Sequence, residues 1–463
     1  MQKEDSASTI VATGWRALSR ALIVTASIYA APAALAADPG PARPGYPVVM
    51  TQREQAKVVN AWLKERLDTV VPRIMRETGV DMWVLVAREN HEDPVVATML
   101  NAESLHARRR TILVFFDPGA GKPIERLTVS RYGLGGLFPA AWTPEQQPDQ
   151  WKRLAQIIAE RNPRRIAINS SRLTQFADGM TLSAYEEMMA ALPPGLRPRV
   201  ERNEALAVRW LETRTPSEMA RYPEIVRLAH AIIGEGLSSE VVKPGVTTAD
   251  DVVWWFREKI AGLKLDTWFQ PSLAISRRGV KETLSGDTVI QKGDLLWIDF
   301  GITYLRLNTD TQQNAYVLRD GETAAPAGLV AGLAANNRVQ DALTTSYAVG
   351  RSGNEVLATA RAKSIAAGLK PSIYTHPLGF HGHAAGPAIG FWDNQNPDVR
   401  GEDRIRAQTA WSIELSATAP VPEWGSQDVA FKTEEDAFFD GQRVSYIDGR
   451  QTELYLIASE GAK

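Results

Sequence analysis

The chain of 463 residues contains no cysteine. That excludes a disulfide framework, a thiolate nucleophile and any cysteine-held metal or iron–sulfur cluster. A bound metal would have to be held by carboxylates and imidazoles, which suits manganese, cobalt, zinc or magnesium. Histidine is scarce as well, with 6 in the whole chain. Charge of one sign is also lacking: 52 Lys and Arg stand against 54 Asp and Glu, and no basic run accumulates. Nucleic acid is therefore excluded as the expected partner. Near the start an uncharged run, Ala21 to Ala37, falls short of the roughly 20 residues that span a bilayer, and it contains Pro32. It follows Arg16 and Arg20 and ends in Ala34-Leu35-Ala36, a small-x-small pattern. Residues 1–36 thus read as a cleaved export signal, with a periplasmic or secreted mature protein and no stable membrane anchor.

What remains is the composition of a globular protein, 44% hydrophobic and 23% charged, at a length that implies at least two domains. Asp38 to Pro47 is a proline-rich lead-in. Residues 46–200 alternate helix and strand. Helices are expected over Gln52–Glu77, Gln150–Arg161 and Met180–Leu192, and strands over Met82–Ala87, Thr111–Phe116, Ile124–Ser130 and Arg165–Asn169. This describes an α/β domain without a catalytic constellation, in which His91 and His106 read as surface residues. A second domain, residues 203–463, opens with helical patterns at Leu206–Thr213, Ser217–Val242 and Thr248–Leu263, followed by a strand at Phe269–Ile275.

The stretch Leu295–Tyr316, LLWIDFGITYLRLNTDTQQNAY, holds two apolar runs of strand length, Leu295–Ile298 and Ile302–Leu307. They end at Asp299 and at Asn308-Thr309-Asp310, so two carboxylates stand eleven positions apart. Alone, both aspartates read as turn residues. Three further places change the weighing. His376-Pro-Leu-Gly-Phe-His381-Gly-His383 gathers half of the histidines within eight residues, among glycines. Glu414 lies in the β-patterned run Trp411–Leu415. Phe431-Lys-Thr-Glu434-Glu435-Asp436 ends a third run in acidic residues. Each alone also reads as a solvated loop or strand edge.

Together, the order Asp, Asp, His, Glu, Glu resembles the pita-bread metallopeptidases: methionine aminopeptidase, proline aminopeptidase, prolidase and the metal-free creatinase. Supporting matches are Glu212-Thr-Arg-Thr-Pro-Ser-Glu218, Lys243-Pro-Gly-Val-Thr247 and Gly293-Asp294. The resemblance implies a creatinase-type N-terminal α/β domain followed by an α+β pita-bread catalytic domain. It implies two divalent metal ions, manganese first with cobalt or zinc as alternatives. Asp299 would bind one metal, Asp310 and Glu434 would bridge both, and His376 and Glu414 would bind the second. Glu434 is preferred to Glu435 because it follows Lys432 by two positions, where the family has a basic-hydrophobic-Glu pattern. Glu414 would serve as general base toward a hydroxide held between the metals, and His383, seven residues after His376, would stabilise the oxyanion. His381 has no assigned role. The implied partner is a peptide or small amide substrate, with homodimerisation known among relatives.

This chain departs from the peptidase pattern in four places. Gly279–Gly286 lacks the histidine that the peptidases carry upstream of the first aspartate. Asp310 is followed by Thr-Gln-Gln-Asn where an arginine and a second threonine are usual. Glu414 is followed by Leu-Ser in place of Pro-Gly, and Lys432 stands where arginine is frequent. An Xaa-Pro peptidase is the family-weighted expectation. A different amide or ester hydrolase on the same cage, and a metal-free binding protein, are the alternatives.

Overall fold

The computed structural model describes residues 46–119 and 121–458. The expected export segment and most of the proline-rich lead-in lie outside the described residues. Among the described residues no helix is long and apolar enough to cross a membrane.

The N-terminal half is a five-stranded mixed sheet covered on both faces. Helix α1 (Gln52–Thr78) starts on a Thr51/Glu54 capping box and stops at Gly79, whose φ of 65° suits a residue without a Cβ. It leads to β1 (Met82–Arg88), α2 (Pro94–Met99), β2 (Arg110–Phe116), β3 (Glu125–Thr128), α3 (Gln150–Arg161), β4 (Ile166–Ile168), α4 (Leu182–Ala191) and β5 (Val200–Arg202). The strand order is β3-β2-β1-β4-β5, with β1 parallel to β4 and antiparallel to β2. Strand β1 is apolar from Met82 to Ala87 because both faces are buried there. Met82, Val84 and Val86 pack with α3 and α4, while Trp83 and Leu85 pack with α1 and α5 (Glu204–Glu212).

The C-terminal half follows with α6 (Pro216–Met219), α7 (Tyr222–Gly236) and α8 (Ala249–Gly262), which opens on a Thr248/Asp251 capping box. The helix expected over Ser217–Val242 is thus two helices. Pro223 has no N–H to bond back to Met219, so the chain breaks and restarts there. Strand β6 (Ser272–Ser276) begins three residues later than expected, after Pro271. Then come β7 (Leu295–Phe300), a two-residue hairpin β8 (Thr303–Tyr304) and β9 (Leu307–Asn308), and β10 (Thr311–Val317). The expected single strand Ile302–Leu307 is that hairpin, because Leu305 and Arg306 both adopt positive φ (54° and 64°) and turn the chain back.

Two helices absent from the sequence reading, α9 (Ala327–Thr344) and α10 (Gly353–Ala366), precede β11 (Pro371–Ile373), β12 (His376–Leu378), β13 (Thr409–Val421), β14 (Gln427–Phe439), β15 (Val444–Tyr446) and β16 (Tyr455–Ile457). These strands join β6, β7 and β10 in a nine-stranded sheet with the path β11-β13-β14-β10-β7-β6. Helices cover one face of it. Ile298 and Phe300 pack with Ile232 of α7 and Phe256 of α8, and Ile413 and Leu415 pack with Val339 of α9 and Val356 of α10. Strand alternation sends the intervening residues, Asp299 and Glu414, to the opposite face.

The two halves meet through buried charge. Arg66 of α1, 1% exposed, lies 3.1 Å from Glu218 of α6, between the rings of Trp210 and Phe380.

Candidate metal centre

Five side chains converge on the face of the large sheet opposite its helices. Asp299 on β7 stands opposite Gln312 of β10, Gln312 stands opposite Glu434 of β14, and Glu434 stands opposite Glu414 of β13. Asp310 immediately precedes β10, and its N–H donates to Asp436 (3.1 Å). His376 opens β12 opposite Ser412. The hairpin between the aspartates folds tightly: a Cβ on Gly301 would meet the Thr309 carbonyl oxygen at 2.3 Å, so only glycine allows that approach. Arg306 at the hairpin tip donates to the carbonyls of Leu100 (2.5 Å) and Asn101 (3.3 Å) in the N-terminal half.

The imidazole of His376 is held in one sense. Its Nδ1 lies 3.0 Å from the Pro377 carbonyl, which can only accept, so Nδ1 carries the proton and Nε2 presents a lone pair. That Nε2 lies 3.5 Å from Asp310, 3.5 Å from Glu434 and 3.8 Å from Glu414. Potential ligand atoms fall into three groups, each within 4.8 Å: Asp299/Asp310/Glu434, His376/Glu414/Glu434, and Asp310/His376/His383. Asp310, His376 and Glu434 each belong to two groups; of these only the two carboxylates have a second ligand atom with which to reach two cations.

The electrostatics are those of an anionic cage. Asp299, Asp310 and Glu414 have pKa values pushed well above the usual carboxylate range, first by burial and then by Glu434, with Asp299 adding to the effect at Asp310 and Glu414. Among the described residues no lysine or arginine lies within ion-pair distance of these four carboxylates. The Oδ1 of Asp299 and the Nε2 of His376 are buried without a hydrogen-bond partner. Buried carboxylates facing each other, with orphaned lone pairs and a hard oxygen-rich donor set, fit divalent cations.

The neighbouring acidic residues divide between the two faces. Glu435 points away from the cage, to His230 Nε2 (3.1 Å), Gln313 (3.2 Å) and the Gln451 N–H (2.7 Å). Burial alone would lower the His230 pKa, but Asp448 and Glu435 outweigh it and push it up to about 10. Asp436 points back to the cage side and is fully buried.

His383 stands at the mouth, its ring 4.6 Å from that of His376 and 5.1 Å from Trp268. Burial and then His376 hold its pKa below the ordinary histidine value. His381 stacks on Phe176 of the N-terminal half (4.4 Å, 29°), and burial followed by Arg214 pushes its pKa down to about 4. His91 and His106 are exposed. Sequence reasoning did not find Asp436, Ser412, Trp268 or the side chain of Gln312, all of which touch the cage or its mouth. For Asp436 and Ser412 the signal was present, since they share strand parity with Glu434 and Glu414.

Comparison with known proteins adds three findings. Residues 224–437 match the sequence model of metallopeptidase family M24. No curated protein matches the sequence. Solved structures match over most of the chain. The X-Pro aminopeptidase of Thermotoga maritima has a TM-score of 0.58 at 15% identity, covering 83% of this chain and 99% of its own. The Xaa-Pro dipeptidase of Bacillus anthracis has a TM-score of 0.54 at 15% identity, with 88% and 100% covered. A dipeptidase of Pyrococcus horikoshii has 0.55 at 16%, with 85% and 99% covered. At these identities the likeness is one of fold, and it is that of an α/β half followed by a pita-bread half.

Proposed function

Through residues 224–437 the chain belongs to metallopeptidase family M24, and from that premise we propose that it is a two-metal hydrolase of Xaa-Pro peptides. The observation that carries this reading is the convergence of Asp299, Asp310, His376, Glu414 and Glu434, with the two-oxygen side chains Asp310 and Glu434 each shared, like His376, between two ligand groups. Asp299, Asp310 and Glu434 would hold one cation. Asp310, His376, Glu414 and Glu434 would hold the other. Manganese is the first expectation, with cobalt or zinc as alternatives. When bound, the pair supplies Lewis acidity toward a substrate carbonyl and an attacking water.

The chain's own groups do the rest. Glu414 would take the proton of the attacking water and return it to the leaving amine. His383, neutral near pH 7 and set at the mouth, donates an N–H to the carbonyl oxygen as negative charge develops there. Loss of such a donor costs about 2.7–4 kcal/mol of barrier in other enzymes. Trp268 packs against His383 and fixes the ring edge-on. Its own indole N–H donates to the Thr309 carbonyl (3.0 Å), tying the histidine loop to the aspartate hairpin.

The specificity follows the named relatives, an X-Pro aminopeptidase and an Xaa-Pro dipeptidase. A second reading, an amide or ester hydrolase of other substrates, is favoured by Gln312, which reaches into the cage from the segment where the chain leaves the peptidase pattern. Assaying dipeptides, longer Xaa-Pro peptides and acyl-amino acids with Mn, Co and Zn separates the two. Cleavage of Xaa-Pro bonds supports the first reading, and cleavage only of other amides or esters supports the second. We also propose export, from residues 1–36, and a homodimer, from the family resemblance. N-terminal sequencing of cell-envelope fractions and sedimentation of purified protein test these, and a chain retaining Met1 or sedimenting as a monomer would reject them.

A further inference from the structure

Gln312 is fully enclosed, 1% exposed, in the row of residues that carries the cage across the sheet. Its amide has a defined sense. The Trp297 indole, which can only donate, contacts Oε1 at 3.1 Å, so the amide oxygen faces the tryptophan. The nitrogen therefore faces inward. It donates to Glu414 Oε1 and to Glu434 Oε2, the latter at 2.7 Å, with the Tyr374 hydroxyl farther off at 3.4 Å. Two amide protons are thus matched to two carboxylates contributed by adjacent strands. The opposite oxygens, Glu414 Oε2 and Glu434 Oε1, are the ones that face His376 Nε2. Gln313, one residue on, is turned to the other face and serves Glu435.

We propose that Gln312 is a positioning residue for the cage: a neutral amide clamp, aimed by Trp297, that joins Glu414 to Glu434 and selects which of their oxygens face His376. The clamp suits this cage because it adds no charge. A lysine or arginine in its place would offset a carboxylate and weaken the case for a cation, whereas an amide steadies two mutually repelling glutamates and leaves their charge available. This inference rests on the metal-binding reading above and assigns the segment after Asp310 a role in that reading.

The test uses the full chain freed of metal by chelation and titrated calorimetrically with Mn²⁺. Gln312→Met keeps length and approximate volume while removing both donors. Trp297→Phe keeps an aromatic ring beneath Lys432, which sits 4.5 Å from the Trp297 ring, and removes only the N–H that aims the amide. Gln312→Met is expected to weaken Mn²⁺ binding about 10–100-fold, the usual consequence of losing a partner that orients metal ligands. Trp297→Phe is expected to lose several-fold in the same direction, and it carries the test if the methionine variant does not fold. A residue that only filled space would shift the Tm and leave the affinity of the folded protein unchanged. A folded variant of either kind that binds Mn²⁺ as the wild type does overturns the clamp and leaves the metal reading standing. Wild-type protein that binds no Mn²⁺ overturns the metal reading and the clamp with it.

Discussion

Glu434 and Glu435 are consecutive in β14 and serve opposite faces of one sheet. Glu434 meets Glu414, Ser412 and Gln312 in the cage, while Glu435 holds His230 at 3.1 Å on the helix side. The separation follows from the period of two along a strand and needs no special backbone. It predicts that neighbouring, chemically identical side chains fail in different ways when changed. Glu434→Gln should abolish Mn²⁺-dependent hydrolysis with little loss of Tm. Glu435→Gln should retain metal binding but lose about 3 kcal/mol of stability, because it leaves a buried charged His230 short of one partner. Paired denaturation and calorimetric titration of the two variants check this, and the same loss in both would reject the division of faces.

The environment of His230 also sets a pH dependence. Its pKa is raised, to about 10, by Asp448 and Glu435 against the opposing effect of burial. A group whose pKa is higher in the folded state stabilises fully below its unfolded value, about 6.5, and loses that contribution as pH climbs through the folded value. Unfolding free energy of the metal-free protein should therefore fall between roughly pH 6.5 and 10. His230→Gln should flatten that decline. Urea titrations of both proteins across this range test the sign, and an equally steep decline in the variant would contradict it.

His381 and His383 are two residues apart and differ in kind. His381 is packed on Phe176, while His383 stands at the mouth beside His376. Replacing His381 by Phe keeps a ring on Phe176, so activity should stay within a few-fold of wild type. His383→Ala should lower kcat by about 10²–10³, as expected for loss of an oxyanion donor. Steady-state kinetics of the two variants on a cleaved peptide decide between packing and chemistry at each position. A His381→Phe variant as impaired as His383→Ala would place His381 in the chemistry.

Much of this was legible in residue order. The apolar runs of the N-terminal half gave four of its five strands within a residue or two, because both faces of that sheet are buried and β1 reads as an apolar stretch from Met82 to Ala87; the short β5, Val-Glu-Arg, has no such run. The five cage residues could be named because their order, Asp, Asp, His, Glu, Glu, resembles that of the pita-bread metallopeptidases, whereas each alone reads as a turn, loop or strand edge. The hairpin at Ile302–Leu307 was not legible: Leu305 and Arg306 carry no glycine or asparagine to announce their positive φ, and the docking of Arg306 on Leu100 and Asn101 is a tertiary constraint. Helix α9 escaped notice because its buried face includes Asn336, Asn337 and Gln340, of which Asn336 and Gln340 bond to Thr433 and Asn337 to the Gln451 carbonyl. A polar stripe buried against a strand mimics a solvated surface in any hydrophobicity pattern. The clamp on the glutamates was hidden for a related reason, since Gln312 looks like an ordinary polar strand residue until Trp297 and the glutamates are seen around it.

The central claim is that the converging carboxylates and His376 form a two-cation centre that hydrolyses amide bonds. The most direct measurement is metal content and Xaa-Pro peptidase rate, taken together on one preparation, for the wild type, Asp310→Ala and His376→Ala after reconstitution with Mn²⁺. The account predicts about two ions per wild-type chain, as a two-metal site requires. It also predicts peptide cleavage that disappears on chelation, and loss of both ions and activity in Asp310→Ala. His376→Ala should keep at most one ion and no activity. Wild-type protein that stays metal-free after reconstitution, or an Asp310→Ala variant that binds two ions and cleaves at the wild-type rate, would contradict it.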